Sequence, residues 1–305
     1  MKALFNKRNL ALLAAFGTTT IYGLNHTIAK GVMPDHVQAF GFIMLRVGGA
    51  AILFWGISLF RPPEKIDRKD WGLMLLASLL GMAINMLSFF KGLSLSTPIN
   101  SAVLVTISPI VVIVLSSVYL KEKMDWKKIT GIGLGFLGAL GLILFGQEVR
   151  VDAPNIFAGN LLFVVNAISY GAYLVVAKSL IQKYSPVTLM KWLFTIAVVI
   201  NFPVTIQEFN QIEWAVMPLP IYGAIAFVIL GTTFCTYLFN AFALTTLKAS
   251  SVGAFVYLQP LIGIVYAVVM GKDELSAIKI ISTIAVLVGV YLATTKKKLK
   301  NFSRI

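Results

Sequence analysis

Runs of about twenty largely apolar residues, each closed by charges, prolines or a short polar turn, recur along the whole chain. That length is what a helix needs to cross the hydrocarbon core of a bilayer. The pattern predicts ten membrane-spanning helices, at 9–32, 37–60, 71–94, 98–120, 129–146, 156–181, 187–206, 219–244, 250–270 and 278–294. The connections at 94–97 and 245–249 leave only tight polar turns between successive helices. The first helix follows Lys2, Lys7 and Arg8, an arrangement shared with signal peptides, but its apolar run continues past Tyr22, Asn25 and Ala29 without a small-residue cleavage pattern. It is read as a retained helix.

Charge gives these elements a direction. Nineteen Lys and Arg residues fall on one side of the ten helices, in the N-terminal cluster, at Arg61 to Lys69, at Lys121 to Lys128, at Lys178, Lys183 and Lys248, and in the tail; four, Lys30, Arg150, Lys272 and Lys279, fall on the other. Positive residues are retained on the cytoplasmic side, so both termini are expected there, which requires an even number of crossings. The net charge of +14 is thus loop charge between apolar runs, not a basic face for nucleic acid, and the tail from Lys296 to Lys300 is expected to meet anionic lipid headgroups. Hydrophobic residues at 58% and charged ones at 12% exclude an ordinary soluble domain. The single cysteine, Cys235, excludes an intrachain disulfide and a cysteine metal site; no metal and no cofactor are expected.

The two halves repeat. Tyr22-Gly23 followed by Ala29-Lys30 recurs as Tyr170-Gly171 followed by Ala177-Lys178, an offset of 148. Gly72 and Gly223, Leu93 and Leu244, Ala102 and Gly253, and Pro109 and Pro260 are each 151 apart. Residues 1–147 form the first five-helix repeat, 153–296 the second, and 297–305 a basic cytoplasmic tail. Five is odd, so the second copy must insert upside down. Inverted repeats are characteristic of secondary transporters, whose halves rock about one central site. The expected fold is an all-α integral membrane protein of two inverted five-helix repeats.

These residues resemble the EamA family of the drug/metabolite transporter superfamily over nearly the whole chain. The opening helix with Tyr22-Gly23-Leu24-Asn25 and Ala29-Lys30, Arg46 in the second helix, the stretch Gly92 to Pro109 ending at Lys121-Glu122-Lys123, and Ala243 to Pro260 with Asp273-Glu274 carry the likeness. Position 22 is Tyr where Trp is common in the family. The resemblance implies a ten-helix carrier of the bacterial inner membrane, often an exporter of amino acids or related metabolites.

All twelve acidic residues fall in connections or at helix ends, so the predicted membrane interior holds cationic groups only: Arg46, Lys91, Lys191 and His26. This argues against a buried carboxylate that carries protons or attracts cationic drugs. A charge at the centre of a span costs roughly 2.5 to 3.5 kcal/mol. Arg46 either faces a water-filled cavity and grips the carboxylate or phosphate of a substrate, or bonds backbone carbonyls at a helix break. Lys91 and Lys191 lie near helix ends, where long side chains reach the headgroups, and Lys91 is also a candidate ligand. His26 is either a titrating group or a hydrogen-bonded structural one. Tyr22, Asn25, Asn85, Tyr173, Tyr237, Asn240, Tyr257 and Gln259 complete the candidate substrate-binding set; each alone also suits a helix-to-helix hydrogen bond. Pro109 and Pro260 are expected to kink their helices at equivalent positions. Gly131, Gly135, Gly138 and Gly141 give the fifth helix a smooth face, for packing within the chain or for a homodimer.

A membrane-embedded enzyme is the rival reading, but the helices carry no Ser-His-Asp set, no His-Glu-x-x-His motif, no paired carboxylates and no glycine-rich phosphate loop. A channel predicts a symmetric pore lining. The sequence therefore favours a carrier of a small polar metabolite, an amino acid or an organic anion.

Overall fold

The computed structural model describes residues 6–120, 126–145, 152–247, 252, 255, 256 and 258–294. Its helices are α1 (Lys7–Val32), α2 (Ala39–Ser58), α3 (Arg68–Leu95), α4 (Pro98–Leu104, Val105–Ile107 and Ser108–Leu120 in succession), α5 (Trp126–Phe145), α6 (Ile156–Ile181), α7 (Pro186–Asn210), α8 (Leu219–Thr246), α9 (Leu258–Val269) and α10 (Ala277–Thr294). Six of them, α2, α3, α4, α6, α7 and α8, are long and apolar enough to cross a membrane; α9 and α10 are shorter apolar helices. Local chemistry sets the starts. Thr97 accepts a hydrogen bond from Asn100 N ahead of Pro98, and Ser185 accepts one from Thr188 N ahead of Pro186, both N-caps with proline at the first helical position. The tight connection expected at 94–97 is this capped turn, whereas the connection expected at 245–249 and the start of the span expected from 250 lie partly outside the described residues.

Two departures from regular helix recur in the repeats. α3 contains a π-helical turn at Leu79–Ile84 and α8 one at Phe227–Cys235, 148 to 151 positions apart. Such a turn shifts the hydrogen-bond register and frees carbonyls. Gly81 O accepts from Tyr237 Oη at 2.8 Å, Leu80 O from Ser169 Oγ at 2.6 Å, and Val228 O from Thr233 Oγ1 at 2.8 Å. Pro109 stands in the first turn of Ser108–Leu120, just after the 3-10 turn that breaks α4, and Pro260 in the first turn of α9, positions where a missing N–H breaks no helical bond. α7 continues through Pro203 to Asn210, beyond the end expected near residue 206.

The halves are interleaved. α1 packs on α8 and α9 of the second half, and α6, its counterpart, packs on α3 and α4 of the first; α2 lies against α7 and α5 against α10. Carboxylates fasten the α2–α7 pair at both ends. Glu208 of α7 accepts from Phe40 N at 2.6 Å and Gly41 N at 3.0 Å at the start of α2, and Glu64, just past α2, accepts from Ser185 N at 3.1 Å at the start of α7. Beside the second contact, Asp70 accepts from Lys183 Nζ at 2.8 Å and Tyr184 Oη at 2.7 Å. That bond raises Lys183 above the ordinary lysine range. The glycine face of α5 is used within the chain: a Cβ on Gly138 would stand 2.8 Å from Val286 N and 2.9 Å from Ser282 O of α10.

Three lysines expected as loop charges are structural. Lys30 Nζ donates to Leu93 O at 2.7 Å, and Lys178 Nζ, its repeat equivalent, donates to Leu244 O and Leu247 O. Each ties the first helix of a half to the C-terminal carbonyls of the third helix of the same half, where a cation also meets the negative end of the helix dipole. Lys279 lies inside α10, fully buried, 3.1 Å from the buried carboxylate of Asp273, which also accepts from Ile99 N at the start of α4.

Candidate functional site

Between the halves lies a cavity of about 530 Å³, part of it open to the surroundings. Its wall draws on both repeats. Tyr22, Asn25 and His26 come from α1, Arg46 from α2, Asn85 and Phe89 from α3, Val105 and Ser108 from the 3-10 turn of α4 and the residue after it, Asn166 and Tyr170 from α6, Thr232 and Tyr237 from α8, Val256 from the turn ahead of α9 and Gln259 from the start of α9. Tyr22 and Tyr170 are repeat equivalents at an offset of 148; Val105 and Val256, and Ser108 and Gln259, are equivalents at 151. Corresponding residues of the two halves thus line the same cavity.

Arg46 is 4% exposed, and its guanidinium lies 4.8 Å from the Phe90 ring centre. Its Nε donates to Thr233 Oγ1 at 2.7 Å. Thr233 in turn donates to Val228 O, a carbonyl in the π-helical turn of α8, so that turn sets where the arginine is anchored. Among the described residues no carboxylate pairs with Arg46. Asn85 and Asn166 hold α3 and α6 together through reciprocal bonds, each amide donating to the other's backbone carbonyl, at 3.2 and 2.9 Å. Three polar atoms of cavity-lining residues are buried without a hydrogen-bond partner: Asn25 Oδ1, His26 Nε2 and Thr232 Oγ1. Unmet polar atoms around a cavity are what a polar occupant would satisfy.

Of the candidate residues, Tyr22, Asn25, His26, Arg46, Asn85, Tyr237 and Gln259 converge on this cavity. Tyr173 and Asn240 stand behind the wall: Tyr173 packs 6.0 Å from the Tyr170 ring, and Asn240 donates to Tyr170 Oη at 2.9 Å. Lys91 is exposed on the outside of α3, 5.8 Å from the Phe40 ring, away from the cavity. It is exposed because the helical turn that carries Phe89 inward carries Lys91 outward. Lys191 lies 4.5 Å from the Trp55 ring in a cluster with Trp192. Tyr257 is outside the described residues. Sequence reasoning passed over Ser108, Asn166, Thr232 and the anchor Thr233, and used Tyr170 only as a repeat marker. The signal that could have found Tyr170 and Ser108 is the repeat offset itself, which maps them onto Tyr22 and Gln259.

Apolar helices of spanning length, interleaved as two related halves around a buried polar cavity, define a membrane transporter. The model of the EamA-like transporter family matches residues 9–144 and again 157–295, one match in each half. The chain belongs to the EamA-like transporter family. It is similar to the uncharacterized transporter YetK of Bacillus subtilis, 22% identical over 97% of this chain and 90% of the relative. It is also similar to an uncharacterized transporter of Archaeoglobus fulgidus, 24% identical over 88% of this chain and 90% of the relative. Uncharacterized transporter YyaM of Bacillus subtilis is 24% identical over 68% of this chain and 67% of its own length. A solved crystal structure shares the fold at a TM-score of 0.64, with 15% identity, covering 93% of this chain and 96% of that one.

Proposed function

We propose that this transporter is a ten-helix secondary carrier of the bacterial inner membrane, with both termini cytoplasmic, whose two inverted halves expose the central cavity alternately to either side. Its cargo is a small polar metabolite with a carboxylate or another anionic group, an amino acid or organic anion, and export is the direction the family resemblance implies. One observation carries the reading. Arg46 is buried at the cavity wall with a hydroxyl and an aromatic face as its neighbours and no carboxylate among the described residues to pair with it. A buried cation without a counter-ion is costly, and an anionic ligand that accepts hydrogen bonds from the guanidinium offsets that cost. The three unpartnered atoms around the same cavity supply further contacts to a polar cargo.

The test is counterflow in proteoliposomes, with labelled amino acids and mono- and dicarboxylates, after a growth screen of overexpressing cells against the same compounds and their toxic analogues. A hydrogen bond to a charged group contributes about 1.5 to 3 kcal/mol. Arg46→Ala and Arg46→Lys are therefore expected to lose roughly tenfold to a hundredfold in apparent affinity for the compound that moves, with unchanged membrane insertion. Wild-type uptake by Arg46→Ala would sink the assignment.

A further inference from the structure

His26 is 2% exposed and lines the cavity with one ring nitrogen committed and the other bare. Nδ1 lies 2.7 Å from Ser101 Oγ, and that hydroxyl donates to Pro98 O at 2.9 Å. A hydroxyl has one hydrogen. With it on Pro98 O, Ser101 accepts from Nδ1–H, and in the neutral ring the free lone pair is then on Nε2. Nε2 makes no hydrogen bond of normal geometry, and the Gln259 side chain lies close enough to the ring to interact with it. The groups around the ring are Tyr22 on its own helix, Phe89 of α3 at 5.5 Å, Ser101 of α4, and Gln259 and Gly263 of α9; Arg46, Tyr170 and Tyr237 line the same cavity. Lys30, one turn further along α1, is bonded to Leu93 O and Asp152 O. No carboxylate among the described residues lines the cavity. Tyrosine ordinarily titrates at about 10 and arginine above about 12, which leaves histidine as the lining side chain whose ordinary range falls near neutral pH.

We propose that His26 is the proton-carrying group of this transporter, and that the anion held by Arg46 crosses the membrane together with one proton on His26 Nε2. The proposal rests on the reading that the cavity is the substrate site. In the empty cavity the Arg46 cation opposes a second cation on His26. A bound anion removes that opposition and gives the new Nε2–H an acceptor, while the bond from Nδ1–H to Ser101 is undisturbed. Coupling is reciprocal: the factor by which the anion favours the proton is the factor by which the proton favours the anion. The proton leaves water on one face, forms the Nε2–H bond, and returns to water on the other face as the anion departs. No electrons move and no bond of the cargo breaks. For a monoanion the pair is electroneutral, so an acid made inside the cell leaves with its proton whenever its own outward gradient exceeds the inward proton gradient.

The experiment uses proteoliposomes containing a luminal pH dye, with the amino acid and carboxylate panel added outside and label and pH followed together. Uptake by the wild type is expected to acidify the lumen, and each unit of inward pH gradient is expected to raise accumulation by up to about tenfold. In His26→Gln, uptake no longer responds to the gradient. A compound that moves without acidification, or acidification that persists in His26→Gln, overturns the proposal and leaves the carrier reading standing. Failure of every compound to move in the wild type overturns the carrier reading, and the proposal with it. A second measurement is independent of the cargo. The chain has 2 histidines, so ¹⁵N-histidine labelling in nanodiscs resolves His26 beside His36 as reference. His26 Nε2 is expected to be bare at pH 8, and Arg46→Gln to move its protonation upward by about one pH unit. A protonated Nε2 at pH 8, or identical titrations in the two proteins, contradicts the assignment.

Discussion

At the scale of single residues, the site depends on what holds each polar group in place. Arg46 spends its Nε–H on Thr233, which leaves its terminal nitrogens for a ligand. Thr233→Val keeps the shape and removes the acceptor, so the guanidinium is no longer fixed. The expected outcome is a roughly tenfold rise in KM with little change in maximal rate, since the lost bond to a charged group is worth about 1.5 kcal/mol or more. Lys91 gives the opposite expectation. It carries the same charge type but lies outside the cavity, and Lys91→Ala is expected to transport within about twofold of wild type, as surface changes rarely exceed about 0.5 kcal/mol. Parallel uptake curves for the two variants check both.

At the scale of elements, breaks in regular helix and close glycine contacts shape the cavity. The π-helical turns of α3 and α8 free carbonyls that Tyr237, Ser169 and Thr233 use, and Thr233 passes that effect to Arg46. Nothing in the local composition of 79–84 marks its turn, because the donors to its freed carbonyls, Tyr237 and Ser169, sit on other helices. The glycine face of α5 was legible as a packing surface, but only the fold shows that α10 covers it. Gly138→Leu would drive a side chain into the α10 backbone, and overpacking of this kind costs about 1 to 3 kcal/mol. A fall in melting temperature of at least about 2 °C in detergent is expected. Gly133, which has open space where a Cβ would lie, supplies the control: Gly133→Ala should melt with the wild type.

At the scale of the whole molecule, the halves are neither separate nor side by side. Each first helix packs on the third and fourth helices of the other half, while Lys30 and Lys178 tie each first helix to the end of the third helix in its own half. Such interleaving lets a relative movement of the halves change the cavity from both sides at once. The proposed orientation makes a direct prediction. With Cys235 replaced by serine, a cysteine placed by Lys69→Cys should react with an impermeant maleimide only in inside-out vesicles, and one placed by Glu213→Cys only in right-side-out vesicles. Both positions are exposed, so equal labelling from one side would refute the inverted arrangement.

The sequence by itself determined the apolar helices, the duplication and the family, because each depends on composition and spacing along the chain. It also brought forward Arg46, since a charge inside an apolar run stands out without any knowledge of neighbours. The tertiary structure decided which side chains face one another. Lys91 and Phe89 are two residues apart on α3, yet one points outward and the other lines the cavity. Lys30, Lys178 and Lys279 read as loop charges until the fold shows the carbonyls and the carboxylate that hold them. Helix rotation and partner choice are set by packing between halves about 150 positions apart, which no local window contains. The Nε2 of His26 belongs to the same class: its meaning comes from Ser101, 75 residues away, and from the Arg46 cation in the wall of the same cavity.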